Sequence, residues 1–270
     1  MYQFSSNHFF QITERLKIRS HGNAAYGSID EPNWSDIMQT GRFCRIYGLY
    51  EDAIWCYNQA IELIDFLPIP NEGKSKMKSG SLSAKAMCLS TMGKNSEARE
   101  VCEKAILLMP ENFEAICNKG IALNNIGKYN DAITAHKEAI SIKPDFANSW
   151  NAIGQIMVDQ IKDYKNAIPY LDKAIQLSDG QDTHAWINKG NALSYLGKIE
   201  EAFLCWETAY EIDPEENVHA MLNKAIWLFK GQNKKEEALK LLNEVKGQIS
   251  SENSFYNQLS QLYNRISSEN

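Results

Sequence analysis

Six cysteines, five histidines and 34 carboxylates are the groups in this 270-residue sequence that could perform catalysis or hold a metal. Their spacing argues against both. Cys44, Cys56, Cys88, Cys102, Cys117 and Cys205 form no CxxC pair, and each falls inside a helical pattern, where a free cysteine behaves as a small buried hydrophobe. A zinc site or a disulfide framework would need closer pairing. The histidines are equally dispersed, and there is no Walker loop, no GxGxxG after a strand, no HExxH and no GxSxG. The carboxylate pairs Glu200–Glu201 and Glu236–Glu237 stand where a helix begins, so they complement its dipole. With no nucleophile–base pair and no ligand cluster, the expectation is a protein that is not an enzyme and carries no cofactor.

What does recur is an amide. Asn188-Lys189-Gly190 in HAWINKGNALSYLGKIEEA repeats as Asn118-Lys119-Gly120, with echoes at Asn223-Lys224-Ala225 and Ala84-Lys85-Ala86. An asparagine side chain both donates and accepts, as does each residue of an extended peptide backbone. The chemistry on offer is therefore reversible, hydrogen-bonded recognition. The alternative is that these asparagines bond within their own helix or to the next repeat, and the sequence leaves the two open. The glycine of the phrase is read as packing. The lysine is read as a flank whose stem covers apolar surface while its amine reaches water.

The elements that position these amides follow from a period. Alanine recurs at Ala53, Ala98, Ala132, Ala167, Ala202 and Ala238, each followed seven residues later by Ala60, Ala105, Ala139, Ala174, Ala209 and Val245. Twelve residues before stands Gly41, Ala86, Gly120 or Gly190, and one residue further back Gly154 and Ala225. Gly48, Gly93, Gly127 and Gly197 sit five before the alanine, at a turn, and Pro110, Pro144 and Pro214 close three of the units. Trp186, Gly190 and Leu193 fall at i, i+4 and i+7, one stripe of a first helix, A; Ala202, Trp206 and Ala209 belong to a second helix, B. The spacing predicts six helix–turn–helix units at 34–67, 79–112, 113–146, 147–182, 183–216 and 217–250. Tryptophans 150, 186 and 206 are expected in the core, and Trp55 and Trp227 partly exposed. Residues 1–33 lie outside the repeat, with a short helix over 5–18. The segment 68–78, PIPNEGKSKMK, is an inserted linker of net charge +2 (three lysines against Glu72) and a candidate hinge. Over 251–270, Phe255, Leu259, Leu262 and Ile266 make the stripe of a capping helix, which a stacked array needs.

Small-residue positions, a turn glycine, paired alanines and a terminal proline on a period near 34 residues resemble the tetratricopeptide repeat (TPR) family. The wording NKGxAL…LGKxxEA is most similar to arrays common in prokaryotes. The resemblance implies an all-α, right-handed superhelical solenoid, with helix A lining a concave face and helix B the outer one. It further implies a protein-interaction scaffold holding an extended peptide or a helix of a partner, with asparagine ladders in the groove. The groove residues so assigned are Asn118, Asn125, Asn151, Gln155, Asp159, Asn188, Asn191, Tyr195, Asn223 and Phe229. The family's carboxylate clamp for chaperone tails does not transfer, because Arg42 is the lone cation at its positions in the first unit and the next unit offers none.

Composition narrows the partners. A net charge of −6 disfavours nucleic acid, since helical RNA-reading arrays need a basic groove. No apolar run approaches 18 residues and the N-terminus lacks the layout of a signal peptide, so a cytoplasmic protein without a membrane partner is expected. Unit five sums to −5 and unit six to +3, which leaves self-association open. A peptide-responsive sensor hinged at 68–78 is the other reading of function.

Overall fold

The computed structural model describes residues 33–269, so the expected helix over 5–18 lies outside the described residues. They form thirteen α-helices and no strand. In order these are α1 Trp34–Ile46, α2 Tyr50–Ile64, α3 Asn71–Thr91, α4 Asn95–Leu108, α5 Phe113–Asn125, α6 Tyr129–Ile142, α7 Ala147–Ile156, α8 Tyr164–Leu177, α9 Thr183–Tyr195, α10 Ile199–Ile212, α11 Val218–Ile226, α12 Lys235–Gln248 and α13 Tyr256–Ser268. Two compact units arise, one ending at Pro144 and one starting at Asp145. The first holds the packed pairs α1/α2, α3/α4 and α5/α6; the second holds α7/α8, α9/α10, α11/α12 and then α13.

Within each pair the alanine period is the seam. Ala53, Ala60, Ala98, Ala105, Ala132, Ala139, Ala167, Ala174, Ala202, Ala209 and Ala238 have no exposed surface, and Val245 almost none. The small residue of helix A receives a large side chain of helix B. A Cβ added to Gly41 would lie 2.7 Å from Tyr57, one on Gly120 2.7 Å from His136, one on Gly154 2.5 Å from Leu171 and one on Gly190 2.5 Å from Trp206. All four partners are fully buried, so none can yield. The six cysteines are buried in the same interior, and burial pushes the thiols of Cys88 and Cys205 up to about 11 and that of Cys102 up to about 12. These three thiols remain protonated packing groups. Trp206 is buried as expected, whereas Trp150 and Trp186 are only half-buried, Trp186 donating its indole N–H to the Gly180 carbonyl at 2.9 Å.

The turns explain the two units whose small residue is displaced by one. The extra residue is absorbed as a π-helical turn at the end of helix A, Met157–Ile161 after α7 and Trp227–Gly231 after α11. In those units Lys162 and Asn233 adopt the left-handed conformation, at φ 64° and 54°, that Gly127 and Gly197 take at 81° and 79°. Proline follows α4, α6 and α10 two residues after each helix ends, where it cannot disturb the ladder.

The inserted segment corrects the sequence reading. It is no open linker, because α3 begins at Asn71 and runs for 21 residues, and it packs along α2. Its lysines fasten it to the end of α2: Lys78 pairs with the Asp65 carboxylate at 2.6 Å, and Lys74 donates to the Asp65 carbonyl at 2.8 Å. Charge that looked like a solvated loop is the anchor of two added helical turns. At the other end Leu259 and Ile266 of α13 are buried, with Phe255 and Leu262 packed against the same core. Lys246, polar where the period asks for an apolar residue, lies with its amine 4.9 Å from the Tyr256 ring centroid of this helix.

Two predictions follow from these contacts. Gly190→Ala should destabilise the chain by about 1–3 kcal/mol through overpacking against Trp206. Lys162→Gly, which relieves a left-handed lysine, should be neutral or stabilising by up to ~1 kcal/mol, strain relief outweighing the added freedom of the unfolded chain. Chemical denaturation measures both, and a harmless Gly190→Ala would refute the size-matching account. Burial holds His136 down at about 4, so between roughly pH 6.5 and 4 the unfolded chain binds a proton that the folded chain refuses. Stability is then complete above pH 6.5 and falls on acidification. His136→Leu, which installs the residue used opposite Gly154, should remove that share of the pH slope in melting experiments.

Candidate functional site

The phrase Asn-Lys-Gly can now be resolved atom by atom. Its glycine faces the helix B of its own pair. Its lysine reaches back to the helix B of the preceding pair: Lys189 to Asp172 at 2.6 Å, Lys224 to Glu207, and Lys85 to the Asn58 amide oxygen at 2.9 Å. The ammonium groups of Lys189 and Lys224 also stand 5.4 Å from the ring centroids of Trp186 and Phe203. Lys189 and Lys224 are thus held by a carboxylate five residues after the repeat alanine, and Lys85 by an amide oxygen at the same place, so these three are more than solvent-reaching flanks.

The asparagine reaches back as well, to the preceding helix A. Asn118 donates to both the carbonyl and the hydroxyl of Ser83 at 3.1 Å. Asn188 donates to Asn151 at 3.0 Å, and Asn151 donates to the Asp182 carboxylate at 3.1 Å. Asp182 caps α9 by accepting from the Ala185 N–H at 3.0 Å. Asn223 donates to the Asn191 oxygen at 3.1 Å, the same atom that accepts the Trp206 indole N–H at 3.1 Å. Of the two roles that the sequence left open, the bond to a neighbouring repeat is made by all three asparagines. Each spends its amide N–H₂ in doing so. Among the described residues no hydrogen bond reaches the side-chain oxygens of Asn118, Asn188 and Asn223; Asn188 is buried, and Asn118 and Asn223 are half-buried.

Asn118 and Asn125 belong to the first unit, where Asn125 is exposed and donates to Asn95 at 3.0 Å. The other eight candidate residues belong to the second unit. Asn188 with Asn151, and Asn223 with Asn191, make the two separate sets of bonds just described; Gln155 is exposed on α7, and its amide bonds the carboxylate of Asp159 on the π turn. That turn packs against α8 and α9. Desolvation raises the Asp159 pKa, opposed by the Lys162 charge and the Gln155 bond. Tyr195 is 59% exposed, its ring stacked on Tyr164 with centroids 4.7 Å apart and met edge-on by Trp227 at 6.5 Å. Phe229 is not with them: it faces Leu262, Arg265 and Ile266 of α13. It lies within the π turn Trp227–Gly231, where the winding departs from the α-helical phase.

Sequence reasoning did not find Asp182, Ser83, Tyr164 or Trp227. Asp182 is legible as a helix cap, but its bond to Asn151 exists only once two repeats stack. Tyr164 and Trp227 join Tyr195 because a one-residue insertion places them there, which no period could show.

Comparison with known proteins agrees with this geometry. Residues 80–112, 147–180 and 183–216 match families described as tetratricopeptide repeat, and residues 122–160 one described as TPR repeat. Tetratricopeptide repeat protein 37 of Xenopus laevis is 24% identical over 162 residues, 56% of this chain but 10% of that protein's length. The structure of Pseudomonas aeruginosa pilF, 19% identical, aligns with a TM-score of 0.64 over 85% of this chain and 96% of its own. That of YrrB, described as a TPR protein with an unusual peptide-binding site, is 21% identical and aligns with a TM-score of 0.52 over 77% of this chain and 97% of its own. The structural likenesses establish the fold, and the repeat matches show that the chain carries tetratricopeptide repeats, three of them falling on units defined by the alanine seam and the fourth spanning two of those units.

Proposed function

We propose that this chain is a non-catalytic interaction module whose second unit docks an extended segment of a partner protein on the face built by α7, α9 and α11. The observation that carries this reading is the amide relay. It ties polar side chains of successive repeats to one another and leaves the side-chain oxygens of Asn188 and Asn223 without a donor among the described residues, while Tyr195 stands exposed on the same α9 as Asn188. An extended chain presents N–H groups at regular intervals, and a row of fixed acceptors suits it. YrrB, which shares the fold, is described as binding a peptide. Repeats of this family typically serve as scaffolds rather than catalysts. An acidic chain favours a protein partner over nucleic acid. Among the described residues no helix is long and apolar enough to cross a membrane, and a cytoplasmic setting is part of the proposal. The sensor reading loses its hinge, because α3 is anchored to α2 through Asp65.

The test is to immobilise the full chain, select binders from a random library of end-blocked decapeptides, and repeat the selection with Gln155→Trp. This variant plants a large ring on the face from an exposed position, so melting should be unchanged while affinity for the selected peptides drops about tenfold or more. Equal affinity for the blocked face would refute the proposal. Asn188→Ala should in contrast lower stability by about 1 kcal/mol, because Asn151 loses its donor.

A further inference from the structure

Where α11 gives way to its π turn, a pocket opens against the capping helix. Ile226 follows Asn223 by three residues, on the same side of α11, and is 37% exposed. With Phe229 of the π turn and Leu262 and Ile266 of α13 it lines a cavity of about 60 Å³, and the remaining lining residues are Lys230 and Arg265. Ile266 is buried and Phe229 and Leu262 are half-buried, whereas both cations are exposed.

The charges around this cavity are one-sided. Among the described residues no carboxylate lines it, and none pairs with Lys230. Arg265 donates its Nε–H to Glu269 at 3.2 Å, which leaves the terminal nitrogens of its guanidinium, four donors, for another acceptor. Lys235, the next cation along the chain, is directed away, since its amine is held by the Ser267 and Glu269 carbonyls at the end of α13. One carboxylate therefore answers two cations beside an apolar hollow. The hollow is well under half the volume of the sealed cavity, about 150 Å³, that accommodates benzene, so an aliphatic side chain fits it and a ring does not. A carboxylate next to that side chain can accept from an ammonium and a guanidinium at once, while a basic neighbour would be repelled.

We infer, resting on the docking reading above, that the bound segment continues past α11 to this pocket, inserts an aliphatic side chain between α11 and α13, and sets an acidic side chain against Lys230 and Arg265. In an extended segment the two residues stand two positions apart, on the same side of the chain.

The end-blocked library distinguishes this inference from the reading beneath it, because blocked peptides carry no terminal carboxylate. Peptides retained by the full chain should share an aliphatic residue with aspartate or glutamate two positions away. Replacing that acid by its amide should weaken binding about tenfold in fluorescence anisotropy, and the loss should shrink as salt is added. Lys230→Glu should weaken the acidic peptides by a similar factor of about ten and bind their lysine-substituted counterparts better than the parent chain does. Because Lys230 is exposed, melting should be unaltered in this variant. Retained peptides without an acid at a fixed register, or acidic peptides held as tightly by Lys230→Glu as by the parent, would overturn the inference and leave peptide docking standing. Retention of no peptide by the folded parent chain would overturn both.

Discussion

The close approach of two helices at one small residue is the contact on which the rest depends. Where helix A offers glycine, helix B answers with Trp206, His136, Leu171 or Tyr57; where it offers Ala86, the residue at the same place on helix B is Cys102. The volume removed from one helix is returned by the other, so each pair keeps a dense interior although its composition changes from unit to unit. Ala225 opposite Leu242 sits in the one pair whose helix A ends in the π turn Trp227–Gly231 and is then covered by α13. This fit sets the angle at which every helix A leaves its partner, and hence the direction in which its polar residues point.

A second set of bonds makes separate pairs into an array. Asn188-Lys189-Gly190 spends its asparagine on the preceding helix A and its lysine on the preceding helix B, and Asn223-Lys224-Ala225 does the same, so the small residue closes a pair and its two neighbours join that pair to the one before. Such nearest-neighbour coupling is what gives repeat proteins their cooperativity. The lysine bonds are partly exposed and each is worth little alone. The amide bonds are half-buried or buried, and losing a partner there leaves another amide unsatisfied.

How far the sequence could be read follows from this division. The alanine seam, the turn glycines, the prolines and the capping stripe of α13 were legible because each depends on residues within one helix pair and recurs at a fixed interval. The face was less legible. Asn188 and Asn223 could be placed on it by helical phase, but the atoms to which they bond belong to another repeat, and Asn223 reaches Asn191 rather than the position that Asn188 uses. Phe229 was misplaced because a helix of 3.6 residues per turn was assumed through a segment that winds as a π turn. The segment 68–78 misled for a different reason: its prolines and glycine suggest a loop, yet Pro70 stands just before the first turn of α3, where proline is tolerated, and the lysines that suggested solvent bind Asp65.

The structural use of the asparagines and their proposed role in recognition support each other. An amide free to rotate would lose side-chain entropy when a ligand ordered it, and that loss would weaken binding. Because Asn188 is held by Asn151 and Asn151 by Asp182, their orientation is fixed when the repeats stack, and the cost is met in folding. The oxygens left over then point where the relay sends them, whether or not a partner is present. Under the proposed reading, a ligand meets amides that contacts inside the protein have already oriented. Selectivity at such a face is set by what the scaffold has already consumed.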